Sequence, residues 1–229
     1  MKRNRFRTCL CLSFFFLSLL PLKAQDTQVP GLNARQFHKY WKVESESPDY
    51  KVTFRGDTAE IVSPKGLTLW RKEKMSGKVT IEYDACVVSE TEKDRLSDLN
   101  CFWMASDPKH PDNLWKREKW RNGIFLNCYS LQLYYMGYGG NHNSTTRFRR
   151  YDGNEAGITD PQARPAVLKE YTDAEHLLKA NHWYHIKITN ENNRVSYYID
   201  GKRLVDFRDV KPLTEGWFGF RTTLSRTRI

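Results

Sequence analysis

The chain has 229 residues, 39% of them hydrophobic and 14% aromatic, with 37 Lys and Arg against 27 Asp and Glu for a formal charge of +10. Five of those cations and none of the acids fall in residues 1–24, so the 205 residues that follow carry 32 cations against 27 acids, or +5. That balance is basic yet short of the excess that holds nucleic acid, and the length suits one β-rich domain.

Lys2, Arg3, Arg5 and Arg7 precede an apolar run from Cys9 to Leu20, and Leu22-Lys23-Ala24 sets a small residue before Gln25. The pattern predicts a signal peptide over residues 1–24, too short to span a bilayer comfortably. The expectation is an exported protein, periplasmic or extracellular, with a single domain over residues 25–229 and no stable membrane insertion after cleavage. No cysteine stands directly after the cleavage point to carry a lipid. Cys86, Cys101 and Cys128 lie in apolar strand-like runs without metal-ligand spacing, so buried free thiols are expected, with no zinc site and no obligatory disulfide.

From Phe37 onward, short alternating runs are separated by turn residues. Lys51 to Phe54, Ala59 to Val62 and Leu67 to Arg71 read as strands, broken at Gly56-Asp57 and at Pro64-Lys65-Gly66. Gly77 to Val88 is a longer strand, Ser89 to Asp98 a charged surface loop, and Asn100 to Ser106 a buried strand. Asp107 to Trp120 is polar and reads as a long excursion at one end of a sheet. Asn122 to Asn127 and Tyr129 to Tyr135 read as consecutive strands. Thr172 to Leu178 can form one or two helical turns. Trp183 to Thr189, Val195 to Ile199 and Leu204 to Phe207 then form a meander, with Asp200-Gly201 as a tight hairpin turn.

Between these lies the stretch Tyr134 to Asp152, where an aromatic strand breaks at Gly139-Gly140 and restarts dense in arginine. Alternation puts Thr145, Arg147, Arg149 and Tyr151 on one face and Thr146, Phe148 and Arg150 on the other. Three arginines without an acid in four residues suit either a solvated edge strand guarded by charge or an anion-recognition groove with Asn141 and His142 at its lip.

Many short strands and less than about one-tenth helix predict an all-β protein, an antiparallel two-sheet sandwich. Trp183-Tyr184-His185-Ile186-Lys187-Ile188, then Tyr197-Tyr198-Ile199-Asp200-Gly201, then Gly216-Trp217-Phe218-Gly219-Phe220-Arg221 resembles the closing strands of the concanavalin A-like lectin/glucanase superfamily, which implies a jelly-roll topology. Asn100 to Pro108 together with Tyr138 to Asn143 resembles a group of secreted Bacteroidetes domains of unassigned function, encoded near polysaccharide-degrading enzymes. Such chains continue into one more strand after the Gly-Phe-Arg strand. A chain ending at Ile229 therefore implies a clipped strand from Thr227 or an unfilled slot in a sheet.

The superfamily holds lectins, hydrolases and lyases, so function must come from the site. Sandwich glucanases place two carboxylates on one strand as Glu-x-Asp-x-x-Glu; Glu82-Tyr83-Asp84-Ala85-Cys86-Val87 begins that way but has Val in the last place. A uronate lyase needs donors that neutralise a carboxylate and a Tyr or His that moves a proton. The residue types match those of sandwich-fold alginate and glucuronan lyases: Arg147, Arg149 and Asn141 as substrate-binding groups, with His142, Tyr151 and Tyr138 as catalytic candidates. Trp115 and Trp120, set among cations, suit sugar stacking. No cofactor is expected, although Asp107, Asp112 and Asn113 offer oxygen ligands for calcium without a recognisable ion-loop spacing. The expected partner is an acidic polysaccharide or oligosaccharide. A uronate-directed lyase, a non-catalytic glycan-binding module and a glycoside hydrolase of a modified sugar remain alternatives.

Overall fold

The computed structural model describes residues 25–26, 32–91 and 94–229, so the leader expected over residues 1–24 lies outside the described residues. Of these, 52% are strand and 16% short helical turns, the latter above the tenth that sparse helical periodicity predicts. The strands are β1 (Gln25–Asp26), β2 (Trp41–Ser45), β3 (Lys51–Arg55), β4 (Thr58–Arg71), β5 (Met75–Ser76), β6 (Val79–Val87) and β7 (Leu99–Ser106). They continue as β8 (Gln132–Gly139), β9 (Thr145–Asp152), β10 (Val167–Tyr171), β11 (Trp183–Glu191), β12 (Arg194–Ile199), β13 (Lys202–Arg208) and β14 (Glu215–Arg228). Helical turns include α1 (Phe37–Tyr40), α2 (Glu118–Arg121) and the 3-10 turns Leu114–Arg117 and Leu126–Ser130. No helix among the described residues is long and apolar enough to cross a membrane.

Two antiparallel sheets face each other. The front sheet runs β10-β9-β8-β7-β14-β4-β2, and the back sheet runs β3-β4-β14-β6-β11-β12-β13, with β1 added parallel to β6. β4 and β14 belong to both. They change sheet at a shared corner, where Pro64 and Lys65 stand opposite the single residue Leu224, whose φ is +49°. This two-against-one bulge bends both strands together. Pro64-Lys65-Gly66 is therefore a corner within one strand, not the turn between two that its composition predicts. Ser225 to Arg228 continue beyond it between β4 and β6.

The sandwich core is aromatic. Trp103 packs against Tyr134, Phe148 and Tyr197, while Phe218 and Phe220 meet Tyr83. Each such buried side chain contributes roughly 1.5–3 kcal/mol before the entropy of ordering it. Cys86, Cys101 and Cys128 are free and buried.

A second apolar cluster covers the outer face of the front sheet, where Trp70, Phe102, Leu133, Tyr135, Tyr151 and Trp217 lie beneath residues 107–131 and Ile158. The excursion thus lies over a sheet face instead of at a sheet end. The strand predicted over Asn122 to Asn127 does not form, because Asn122 (φ +44°) and Gly123 (φ +68°) turn left-handed and Leu126–Ser130 packs as a 3-10 turn. A buried ion pair ties down this cover. Fully buried Arg121 donates from Nη2 to Glu44 Oε2 (3.0 Å) and to the Leu114 carbonyl (2.7 Å), and Arg117 Nε reaches Asp107 Oδ2 at 2.8 Å.

Candidate functional site

The aromatic cover ends partway along the front sheet, and beyond it lies a cleft of about 420 Å³. Its floor is one row of residues across four strands. Arg221 on β14 is in register with Asn100 on β7, Asn100 with Gly137 on β8, and Gly137 with Arg147 on β9. At the usual strand spacing the two arginines stand ~14 Å apart along this row. Gly137 leaves a notch between them, and the Tyr135 ring leans into it: a Cβ on Gly137 would lie 2.5 Å from Tyr135 Oη. The next row pairs Tyr135 with Arg149. Arg95 and Asp98 enter from the segment before β7, and Arg164 from the loop before β10.

The electrostatics are one-sided. Five arginines line the cleft, and Asp98 is the one carboxylate among the described lining residues. Burial pushes the Asp98 carboxyl upward against the opposing pull of Arg95, whose Nη1 lies 3.3 Å from Asp98 Oδ2. Burial also raises the Tyr135 phenol well above its ordinary value; Asp98 adds to the rise, and Arg221 and Arg149 oppose it. Arg221 is itself anchored, donating from Nη1 to the Gly123 carbonyl (2.5 Å) and Thr68 Oγ1 (3.3 Å) while lying over the Phe125 ring.

At the lip, Asn141, His142 and Asn143 all take left-handed φ values of 52–57°. Such backbone is costly for residues other than glycine, and the surrounding structure holds it here. Asn143 Oδ1 accepts from the Leu178 amide (2.8 Å), its Nδ2 donates to the Leu178 carbonyl (2.9 Å), and Thr146 Oγ1 donates to the His176 carbonyl (2.6 Å). The result presents Asn141 and His142, both exposed, to the cleft.

Of the predicted site residues, Arg147, Arg149, Asn141 and His142 come together at the cleft. β9 is not an edge strand, since β10 pairs outside it, which removes the edge-guard reading. The three arginines of β9 divide as alternation predicts. Arg150 turns inward to Asp209, which also accepts from Tyr134 Oη. Arg147 is partly engaged, with Nε and Nη2 at 2.8 and 2.7 Å from Oε1 of Glu170 on β10. Arg149 donates to the Pro165 carbonyl and has no carboxylate partner among the described residues.

Four expectations are corrected. Tyr151 shares the arginine face but is wholly buried beneath the aromatic cover against Tyr129 and Tyr135, so no substrate reaches it. Tyr138 is out of phase with the cleft: it points into the sandwich, packs on Tyr184 and donates to the Leu177 carbonyl. Trp115 packs edge-on against Trp217, and Arg117 lies over Trp120; neither ring lines the cleft. Asp107 is committed to Arg117, Asn113 caps the Leu114–Arg117 turn, and Asp112 lies in solvent 3.9 Å from Lys74, so the three do not form a calcium cage. Glu82 and Asp84 face solvent on the back sheet, paired with Lys187 and His185. Potential metal ligands also converge at Asp173, Glu175 and His176, but Lys202 already neutralises Glu175.

Sequence reasoning missed Tyr135, Asp98, Asn100, Arg95, Arg164 and Arg221. Arg221 had a signal, as a cation ending the otherwise apolar Gly216 to Phe220 run, and Asn100 another, as a polar residue opening a buried strand.

Comparison with known proteins places this geometry in a fold. A Bacillus subtilis protein of unknown function with a galectin-like fold superposes with a TM-score of 0.65 at 15% identity, over 86% of this chain and 90% of that one. The carbohydrate-binding module CBM66 from Bacillus subtilis gives 0.52 at 16% identity, over 82% and 89%. An endo-β-1,3-glucanase from Pyrococcus furiosus gives 0.53 at 11% identity, over 83% and 85%. These likenesses establish the galectin-like, concanavalin A-like sandwich. No functionally curated protein matches the sequence. The family model described as "Domain of unknown function (DUF6250)" matches residues 61–229, from the back-sheet half of β4 through the whole cleft, and the chain belongs to that family.

Proposed function

We propose that this is an exported carbohydrate-active protein that takes an acidic polysaccharide in the cleft and grips its carboxylates with arginine. The observation that carries the reading is that Arg147, Arg149 and Arg221 line one cleft together with Tyr135, with a single carboxylate in the described lining. Guanidinium groups pair bidentately with carboxylates, and the apolar edge formed by Phe125 and Leu126 suits a sugar face. Carbohydrate-binding and glucanase neighbours of the same fold support a sugar partner.

Turnover by β-elimination is the second reading, favoured by the position of Tyr135. Arginines neutralising a uronate carboxylate acidify the neighbouring C–H. A base removes that proton, a C=C bond forms, and the glycosidic C–O bond breaks with a proton delivered to the leaving oxygen. The Tyr135 hydroxyl, set in the cleft beside Gly137, is the donor to the leaving oxygen in this reading. His142 at the lip is the neighbouring group able to accept a proton.

A screen against polygalacturonate, alginate and glycosaminoglycans, followed by ultraviolet absorbance for unsaturated uronate, tests both readings. Arg149→Ala is expected to weaken binding at least tenfold, the scale of a lost charge-assisted pair. Tyr135→Phe is expected to abolish unsaturated product while changing affinity little. Binding without product from the unaltered protein identifies a glycan-binding module. Failure to bind any acidic glycan, or full binding by Arg149→Ala, defeats the arginine-cleft reading.

A further inference from the structure

Arginines explain how the cleft holds an anion, but not why two buried acceptors share its wall. Asp98 and Asn100 are 6% and 7% exposed, and both line the cleft. Asn100 Nδ2 donates to Asp98 Oδ1 at 3.4 Å, which leaves Asp98 Oδ2 and Asn100 Oδ1 without a hydrogen-bond partner among the described residues. The Arg95 guanidinium balances the charge of Oδ2 from 3.3 Å without making a hydrogen bond to it. The backbone at Asp98 is also fixed in place. It sits at φ +67°, its amide reaches the Gly139 carbonyl at 3.4 Å, and Ser97 Oγ donates to the same carbonyl at 2.9 Å. Both acceptor atoms are closed off from solvent in the unliganded chain, and buried acceptors left unpaired are costly, so the pair is matched to donors that arrive when a ligand enters and the two side chains turn toward it.

Resting on the acidic-glycan reading, we propose that Asp98 and Asn100 are specificity residues that accept hydrogen bonds from neighbouring free hydroxyls of a uronate sugar, while the arginines hold its carboxylate. The same pair discriminates against other anions. A polyphosphate chain satisfies the arginines but offers no donor to Asn100 Oδ1 and brings negative charge against Asp98. A sugar acid with free hydroxyls satisfies both sets. The cleft therefore selects a hydroxylated uronate over a denser polyanion, a choice that arginine alone cannot make.

The test compares polygalacturonate, alginate and hyaluronan with polyphosphate, by calorimetry on the unaltered protein, Asp98→Asn, Asn100→Ala and Arg149→Ala. The unaltered protein is expected to bind at least one of the three uronate polymers at least tenfold more tightly than polyphosphate. Asp98→Asn should lose that preference by weakening uronate binding and strengthening polyphosphate binding. O-acetylation of the uronate polymer should weaken binding to the unaltered protein and have little further effect on Asp98→Asn. Asn100→Ala keeps the test open if Asp98→Asn does not fold, since it too should weaken uronate binding about tenfold. If both variants fold and keep the preference while Arg149→Ala loses all binding, the hydroxyl-reading role is wrong and the arginine cleft stands. If Arg149→Ala binds normally, or no uronate polymer binds at all, both readings fall together.

Discussion

Replacing Arg121 with Met tests what holds the cover that forms one wall of the cleft. Arg121 is wholly buried and is the hydrogen-bonded cation for Glu44, whose Oε1 already lacks a partner. Met fills similar space but leaves a buried carboxylate uncompensated, a one-sided break that costs about 3–5 kcal/mol. For a domain of this size that corresponds to a melting temperature lower by roughly 6–20 °C. The loss should depend on pH. Burial raises the Glu44 carboxyl above its ordinary value, with Arg121 opposing, so the stability it contributes is present at low pH and is lost as pH rises through the folded value. Without Arg121 that rise is larger, and the variant should recover part of its deficit as pH falls toward 5. Arg121→Met with Glu44→Leu removes both charges and should approach or exceed the unaltered protein. Urea melts at pH 5 and pH 8 measure all of this. A single variant within 1 kcal/mol of the unaltered protein at pH 8, or a double variant no better than the single, refutes the idea that this pair anchors the cover.

Gly137→Val should fill the notch and push Tyr135 against Phe102 and Tyr151, lowering stability by about 1–3 kcal/mol and removing uronate binding; urea melts and calorimetry read the two effects separately. Burial pushes the Cys101 thiol up to about 12 and Cys128 up to about 11, so at pH 8 neither should react with iodoacetamide until the protein is unfolded, as intact mass will show. Protein recovered after export should begin at Gln25; a mass that retains Met1 to Ala24 counts against the signal peptide.

The sandwich was readable because a period of two survives burial on either face of a sheet and because Asp200-Gly201, left-handed at both positions, closes the β12–β13 hairpin. The corner at Pro64 to Gly66 was not, since the same residue chemistry serves a turn between strands and a bulge within one. Alternation separated Arg147 and Arg149 from Arg150 correctly. It could not show that Glu170 would pair across to Arg147, because that contact depends on the register of β10. Nor could it show that Tyr151 lies beneath the cover: sharing a face with Arg149 does not mean sharing its solvent. Tyr135 escaped notice amid the aromatic run of β8, where only its phase relative to Gly137 distinguishes it from Tyr134 and Tyr138.

β14 follows every other described strand along the chain, yet it sits between β7 and β4 in one sheet and between β4 and β6 in the other. A growing chain that has not yet made β14 can pair β10-β9-β8-β7 and β6-β11-β12-β13 among themselves but cannot join either group to β4, and the β14–β4 pairing closes a loop of roughly 150 residues. Folding is therefore expected to be late and concerted, on the slow millisecond-to-second scale of non-local β proteins. Gly216 to Arg228 is the segment that joins these two four-stranded groups to β4, so the two sheets are expected to close only once it has emerged.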